Sequence, residues 1–104
     1  MTGASSHTQM IRSALAAEQE RERFNAAHNF LRSRVVATRD TPIGRDFLFA
    51  VDAAGTVAAL KELAEIEHEH GGDLHFNYTE VGGYILLRIA GAPSQRADIE
   101  GYFD

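Results

Sequence analysis

Apolar and polar residues alternate in two neighbouring segments near the middle of the chain, and this alternation is typical of β-strands. The segments read "RVVATRD" and "GRDFLFAV", and the proline and glycine between them predict a turn. In the second segment Phe47, Phe49 and Val51 alternate with other residues and are expected to face the core. The pattern therefore predicts a pair of adjacent strands.

A second pair of such segments, "DLHFNYTEV" and "YILLRIA", flanks Gly82–Gly83. Two glycines favour a two-residue hairpin turn, because both positions can adopt positive φ angles. Leu74, Phe76 and Tyr78 share the face of the first strand that is expected to meet the core. With this turn, the opposite face carries His75, Asn77 and Arg88. That face is expected to be a pocket floor, a partner surface or ordinary solvated sheet.

Three other segments have helical character. Residues 13–31 lack proline and glycine, and apolar residues recur at helical spacing between Phe24 and Leu31. The charged run "EQERER" and His28 are expected on the surface of this helix. After Pro93 the chain is expected to form a short last helix.

The longest helical pattern is "AGTVAALKELAEIEHEHGG", which two glycines end. Its apolar positions recur every three or four residues and form one stripe, as in a helix that packs on a core. The stripe comprises Val57, Leu60, Leu63, Ala64 and Ile66.

The order of elements is helix, strand, strand, helix, strand, strand, helix. Adjacent strands joined by local turns predict an antiparallel sheet, so the fold class is α+β, with four antiparallel strands and three helices on one face. The 104 residues are enough for one domain. We expect a single domain over residues 1–104, with a short disordered N-terminus at about residues 1–8.

Composition excludes several classes of function. The chain has no cysteine, which rules out disulfides, thiolate metal ligands and cysteine nucleophiles. Its net charge is −5 and its arginines are dispersed, so nucleic acid is not expected as a partner. The apolar runs are too short to span a bilayer, and the first residues do not resemble a signal peptide. A cytoplasmic protein without membrane contact is expected.

The segment "AEIEHEHGGDLHFNY" holds three histidines and three glutamates in fifteen residues. Metal ligands on a helix must recur every three or four residues to share a face. His68 and His70 are two residues apart and diverge, while Glu65 with His68 or Glu69 supplies only two ligands. No metal site is expected.

Acid–base chemistry is the second possibility for this segment. Histidine titrates near neutral pH, and the dipole at a helix C-terminus favours its protonated form. A histidine there, facing a strand that carries Arg88, would suit an anionic or polar ligand. The simpler interpretation is a solvent-exposed helix end that is rich in glutamate and histidine.

The spacing of residues in the second half of the chain is that of a known family signature. Arg45-x-Phe47-x-Phe49 matches an R-x-F-x-F strand, and an acidic residue, a histidine, an aromatic residue and an aspartate follow. They are Glu65, His70, Tyr78 and Asp98. On these residues the chain from Ile43 to Asp104 resembles the pterin-4a-carbinolamine dehydratase family. The resemblance implies a four-stranded antiparallel sheet with three helices.

Other positions depart from the family signature. Glu69 stands at the first histidine, Gly71 at the proline and Arg88 at the third histidine. Shifting the alignment by one residue puts His68 at the first histidine position of the signature but leaves Glu69 at the second histidine position. Arginine does not release its proton, so it cannot act as a base. The resemblance therefore implies a degenerate site without a cofactor, formed by Glu65, His68, Glu69, His70, Tyr78, Arg88 and Asp98.

The two interpretations of the second hairpin disagree. The family alignment puts the turn nearer Thr79–Glu80, whereas the glycines put it at Gly82–Gly83. A turn at the glycines weakens the correspondence between Arg88 and the third histidine.

A dehydratase-like chain with a broken histidine set resembles a noncatalytic branch of the family, which is encoded with α-carboxysome components and assists Rubisco assembly. The resemblance implies a catalytically inactive homodimer that binds Rubisco, and the large subunit is the expected contact. The expected location is the cytoplasm, with association with the carboxysome as a further possibility. Two alternatives stay open. One is a divergent 4a-hydroxytetrahydrobiopterin dehydratase that uses Glu65, His68 and His70. The other is a pterin- or anion-binding module without turnover, with Arg88 and His70 as contacts.

Overall fold

The computed structural model describes Ile11, Leu15 and residues 18–50, 53–70 and 73–103, with the backbone alone at residues 53, 54 and 70. The helices are α1 (Glu18–Arg32), α2 (Ala53–His70) and α3 (Arg96–Glu100), the last preceded by a 3-10 turn at Pro93–Gln95. The strands are β1 (Val35–Thr41), β2 (Gly44–Ala50), β3 (His75–Val81) and β4 (Tyr84–Ala90). The predicted α+β class and order of elements are confirmed. The expected disorder of residues 1–8 lies outside the described residues.

The four strands form one antiparallel sheet in the order β1-β2-β4-β3. Side chains alternate across it, so Phe47 and Phe49 of β2 are buried beside Ile85, Leu87 and Ile89 of β4. The helices pack on this face. The other face, called the open face below, carries the alternate residues of each strand, most of which are exposed in β1, β3 and β4. In the described part of the chain, no helix is long and apolar enough to cross a membrane.

The β3–β4 hairpin turns at the two glycines. Val81 pairs with Tyr84, and Gly82 and Gly83 have φ angles of 52° and 86°. Positive φ at both central residues gives the twist that a two-residue hairpin needs. The prediction from the glycines is confirmed, and the family alignment that put the turn nearer Thr79–Glu80 is wrong. The assignment of Arg88 to the third histidine position loses support with it.

Substitutions at this turn are expected to differ by position. Asparagine tolerates the left-handed region, so Gly82→Asn should change stability little. Gly83→Val forces a β-branched residue to positive φ and should cost about 1–2 kcal/mol in the free energy of unfolding. Urea denaturation of both variants measures this difference, and equal midpoints would contradict it.

One face of α2 buries two polar side chains that the pattern did not reveal. Leu60 and Leu63 of α2 are buried as predicted, but Val57 is exposed and Thr56 is buried in its place. Residues 56, 60, 63 and 67 follow the four-three-four spacing of one helix face. This buried face of α2 therefore includes Glu67, which is buried as well.

His28 is buried, and its prediction as a surface residue was wrong. Its Nε2 donates a hydrogen bond to the backbone carbonyl of Tyr102 at 2.6 Å. Its ring stacks on Phe24 and Phe103. His28 lies four residues after Phe24 and three before Leu31, so the helical spacing itself carried the signal.

Candidate functional site

The C-terminal half of α2 presents three of the candidate side chains to solvent. Glu65, His68 and Glu69 are exposed, because Leu63, Ile66 and Glu67 take the buried positions of these turns. The described residues contain no group of three or more histidine, aspartate or glutamate side chains that could hold a metal ion. The side chain of His70 lies outside the described residues. This half of the candidate site is a helix surface.

The sheet separates two of the remaining candidates. Tyr78 pairs with Leu87 and packs against the core, so it lies on the helical face. Arg88 is the next residue along β4 and lies on the open face, opposite Asn77. Asp98 is half-buried in α3, on the helical side. The sheet therefore separates Arg88 from Tyr78 and Asp98.

An open groove of about 580 Å³ lies at the end of the sheet where β3 begins. Its lining includes Asp73 and His75, with Gly91, Ser94 and Gln95 across from them. Among the candidates whose side chains are described, none lines this groove. The groove and the candidate residues are distinct features of the surface.

A charged row crosses the middle of the open face. The strand register puts Arg39 opposite Asp46, Asp46 opposite Arg88, and Arg88 opposite Asn77. The predicted positions of His75, Asn77 and Arg88 on the face away from the core are thereby confirmed. Cross-strand neighbours of opposite charge stabilise a sheet, and here one carboxylate serves two arginines.

Asp46 is the centre of this row and is only 2% exposed. Arg88 donates from Nε and Nη2 at 2.8 and 3.0 Å, and Arg39 donates from Nη2 at 2.7 Å. The side chains of Arg39 and Arg88 remain 71% and 47% exposed and cover the carboxylate from the solvent side. Such charge-assisted pairs are the stronger hydrogen bonds of proteins.

The titration of Asp46 follows from these contacts. Hydrogen bonds from Arg88 hold its pKa below the ordinary value of 3.8; burial alone would raise it, and Arg39 lowers it further. The Asp46 carboxylate in turn raises the pKa of Arg88. Arg88 is thus a fixed positive charge that is bound to a fixed negative charge, which is unsuited to proton transfer.

Acid is expected to remove the stability that Asp46 contributes. A carboxylate with a lowered folded-state pKa stabilises the fold above its unfolded pKa, and that stability is lost as the pH falls through the folded value. Asp46→Asn should therefore destabilise the protein near neutral pH, and the difference should shrink below pH 3.8. Urea unfolding from pH 7 to pH 2.5 measures it.

Asp40→Asn is the matched control, since Asp40 is more exposed and accepts one bond from Arg45. It should change stability less than Asp46→Asn at neutral pH. A constant difference for Asp46→Asn across the whole pH range would contradict the assigned role.

Neither Arg39 nor Asp46 was predicted as a site residue, although the sequence holds a signal for both. The two-residue turn after Thr41 fixes the register of β1 on β2. Counting back from that turn pairs Asp40 with Arg45 and Arg39 with Asp46, two opposite-charge pairs in neighbouring positions. The pairing with Arg88 is not local, because Arg88 lies 42 residues after Asp46 in the chain.

Comparisons with known proteins found no family model that matches the chain, and no curated protein or solved structure with significant similarity to it. The resemblance to the dehydratase family stays a prediction from the residues.

Proposed function

We propose that this chain is a catalytically inactive, dehydratase-like domain that binds a protein partner, and that its partner is Rubisco during assembly. The observation that supports this best is the solvent exposure of the candidate side chains on α2. Arg88 adds no catalytic group to them, because it lies on the open face and is bound to Asp46.

The exposed candidates on α2 are Glu65, His68 and Glu69. General acid–base catalysis needs groups that meet the reacting atoms within hydrogen-bond distance, usually in a site that limits water. These side chains instead lie on the solvent side of α2. A solvated helix face suits protein contacts better than expulsion of water from a carbinolamine.

The identity of the partner comes from the resemblance alone. A dehydratase-like chain that lacks the histidine set resembles the branch associated with the α-carboxysome, so we propose the Rubisco large subunit as the partner. We also propose a homodimer, because β1 and β3 are the edges of the described sheet and edge strands favour pairing.

Co-expression tests the proposed function. Rubisco subunits are produced with and without the protein, and assembled holoenzyme is quantified on native gels and by carboxylase activity. The proposal predicts more soluble holoenzyme when the protein is present. An unchanged yield would count against Rubisco as the partner.

A further inference from the structure

A second groove lies at the β1–β2 hairpin, where the open face ends. It has a volume of about 390 Å³ and is called the Ile43 groove here. Its lining consists of Arg39, Asp40, Thr41, Pro42, Ile43 and Arg88. It therefore joins an apolar hairpin tip to the two arginines that hold Asp46.

Hydrogen bonds to backbone carbonyls fix the tip of this hairpin. Arg96 donates from Nη1 to the carbonyl of Gly44 at 2.8 Å, and from Nη2 to the carbonyls of Thr41 and Pro42 at 2.8 and 3.0 Å. The amide of Gly91 donates to the carbonyl of Ile43 at 2.9 Å. The side chain of Ile43 is nevertheless 59% exposed. An apolar side chain on a fixed backbone is preorganised for contact, because little conformational freedom remains to be lost on binding.

The groove is positive on an acidic protein. Asp46 uses one nitrogen of Arg39 and two of Arg88, which leaves further N–H donors on each guanidinium group. Asp40 accepts a hydrogen bond from Arg45, which offsets its charge. With their partners Arg45 and Asp46, the charged residues of the lining therefore hold three guanidinium groups and two carboxylates. The whole chain, in contrast, has a net charge of −5.

We propose that the Ile43 groove binds an acidic segment of the partner protein. A carboxylate of that segment accepts hydrogen bonds from Arg39 and Arg88, and an apolar side chain next to it packs on Pro42 and Ile43. This inference rests on the proposed protein-binding function and specifies its surface and the chemistry of the partner.

Charge complementarity favours this occupant over the others. Nucleic acid would meet an acidic protein with few basic residues at the groove. A second copy that docked through the same groove would bring Arg39 and Arg88 against their own equivalents, and like charges in contact disfavour binding. An acidic protein segment meets neither obstacle.

The test is a selection of random twelve-residue peptides displayed on phage, with the full chain as bait, followed by fluorescence anisotropy of the enriched peptides. We expect enriched peptides to carry aspartate or glutamate beside an apolar residue. Arg39→Ala and Ile43→Ser should each weaken their binding by about tenfold or more, as expected for central contacts of an interface. Binding should also weaken as salt concentration rises.

Matched controls come from the same chain. Arg23 is an exposed arginine that forms an ion pair with Glu62, so Arg23→Ala controls for loss of one charge. Val36 is 55% exposed on β1, so Val36→Ser controls for loss of one exposed apolar side chain. Both controls should leave the affinity within about twofold. Arg39→Ala should remain folded, because Arg88 still holds Asp46.

Three results would overturn the inference. Enriched peptides without acidic residues, or peptides that bind the two groove variants as tightly as the controls, exclude the groove as an acidic-segment site. Binding of a single-stranded oligonucleotide that Arg39→Ala abolishes would assign the groove to nucleic acid. Self-association that Ile43→Ser abolishes, seen by sedimentation, would assign it to a second copy. The selection uses no Rubisco, so its outcome is independent of the co-expression result.

Discussion

Replacing Gly44 by alanine is expected to lower the free energy of unfolding by about 3 kcal/mol, the upper end of the usual cost of overpacking. A Cβ atom at Gly44 would lie 1.8 Å from the carbonyl oxygen of Ile89 and 2.9 Å from the Cα of Ala90. Both atoms belong to the backbone of β4, which cannot rotate away as a side chain can. Relief requires β2 and β4 to separate where Gly44 pairs with Ala90.

For a domain of this size, such a loss lowers the melting temperature by about 12–24 °C. Differential scanning calorimetry measures the shift. The matched control is Gly91→Ala, where the nearest atom to an added Cβ is Oε1 of Gln95 at 2.5 Å. A glutamine side chain can move, so this substitution should cost less. Equal melting temperatures for the two variants would contradict the close approach of β2 and β4.

Tyr102→Ala is expected to be the other severe substitution, with a loss of about 3–5 kcal/mol, as for other large aromatic residues in cores. Tyr102 is fully buried, and its ring packs against Phe76, Phe103 and His28. Its hydroxyl donates a hydrogen bond to the buried carboxylate of Glu67, while its carbonyl accepts from His28. One residue near the C-terminus thus ties α1 to α2.

Tyr102→Phe separates the hydrogen bond from the packing. The ring stays, but Glu67 loses the phenol, and leaving a buried acceptor without that partner costs about 1–3 kcal/mol. A double-mutant cycle with Glu67→Gln measures the coupling between the two side chains. Tyr84→Ala, at an exposed tyrosine on the open face, is the control and should cost much less. A coupling energy near zero would contradict the inferred contact.

The fold could be predicted because its signals are local. Alternation in β2 and β3, the glycine pair at residues 82 and 83, and the spacing of Leu60 and Leu63 each depend on a few neighbouring residues. These are the elements that the structure confirms. The buried position of His28 was also encoded locally, but its polar ring suggested the surface.

The interactions of the open face were harder to predict, because they depend on the strand order. In the sequence, Asp46 is only a polar residue in an alternating strand. The pairing of β4 with β2 puts Arg88 beside it, and that pairing cannot be seen from neighbouring residues. Likewise, Glu67 belongs to a charged run in the sequence, and only the packing of Tyr102 makes it a buried acceptor. The candidate residues Tyr78 and Arg88 have the spacing of the family signature. Tyr78 pairs with Leu87, however, and side chains alternate along a strand, so Arg88 lies on the opposite face of the sheet from Tyr78.

We propose that a dehydratase-like scaffold is retained here without its chemistry. The most direct test is turnover of a 4a-carbinolamine substrate by the purified protein, beside Glu69→His at the exposed first histidine position. Arg88→His is not a suitable second variant, because it would remove the two hydrogen bonds that Arg88 donates to Asp46. Neither protein is expected to exceed the rate of the uncatalysed reaction. Turnover by the unmodified protein would contradict it and would establish a divergent dehydratase.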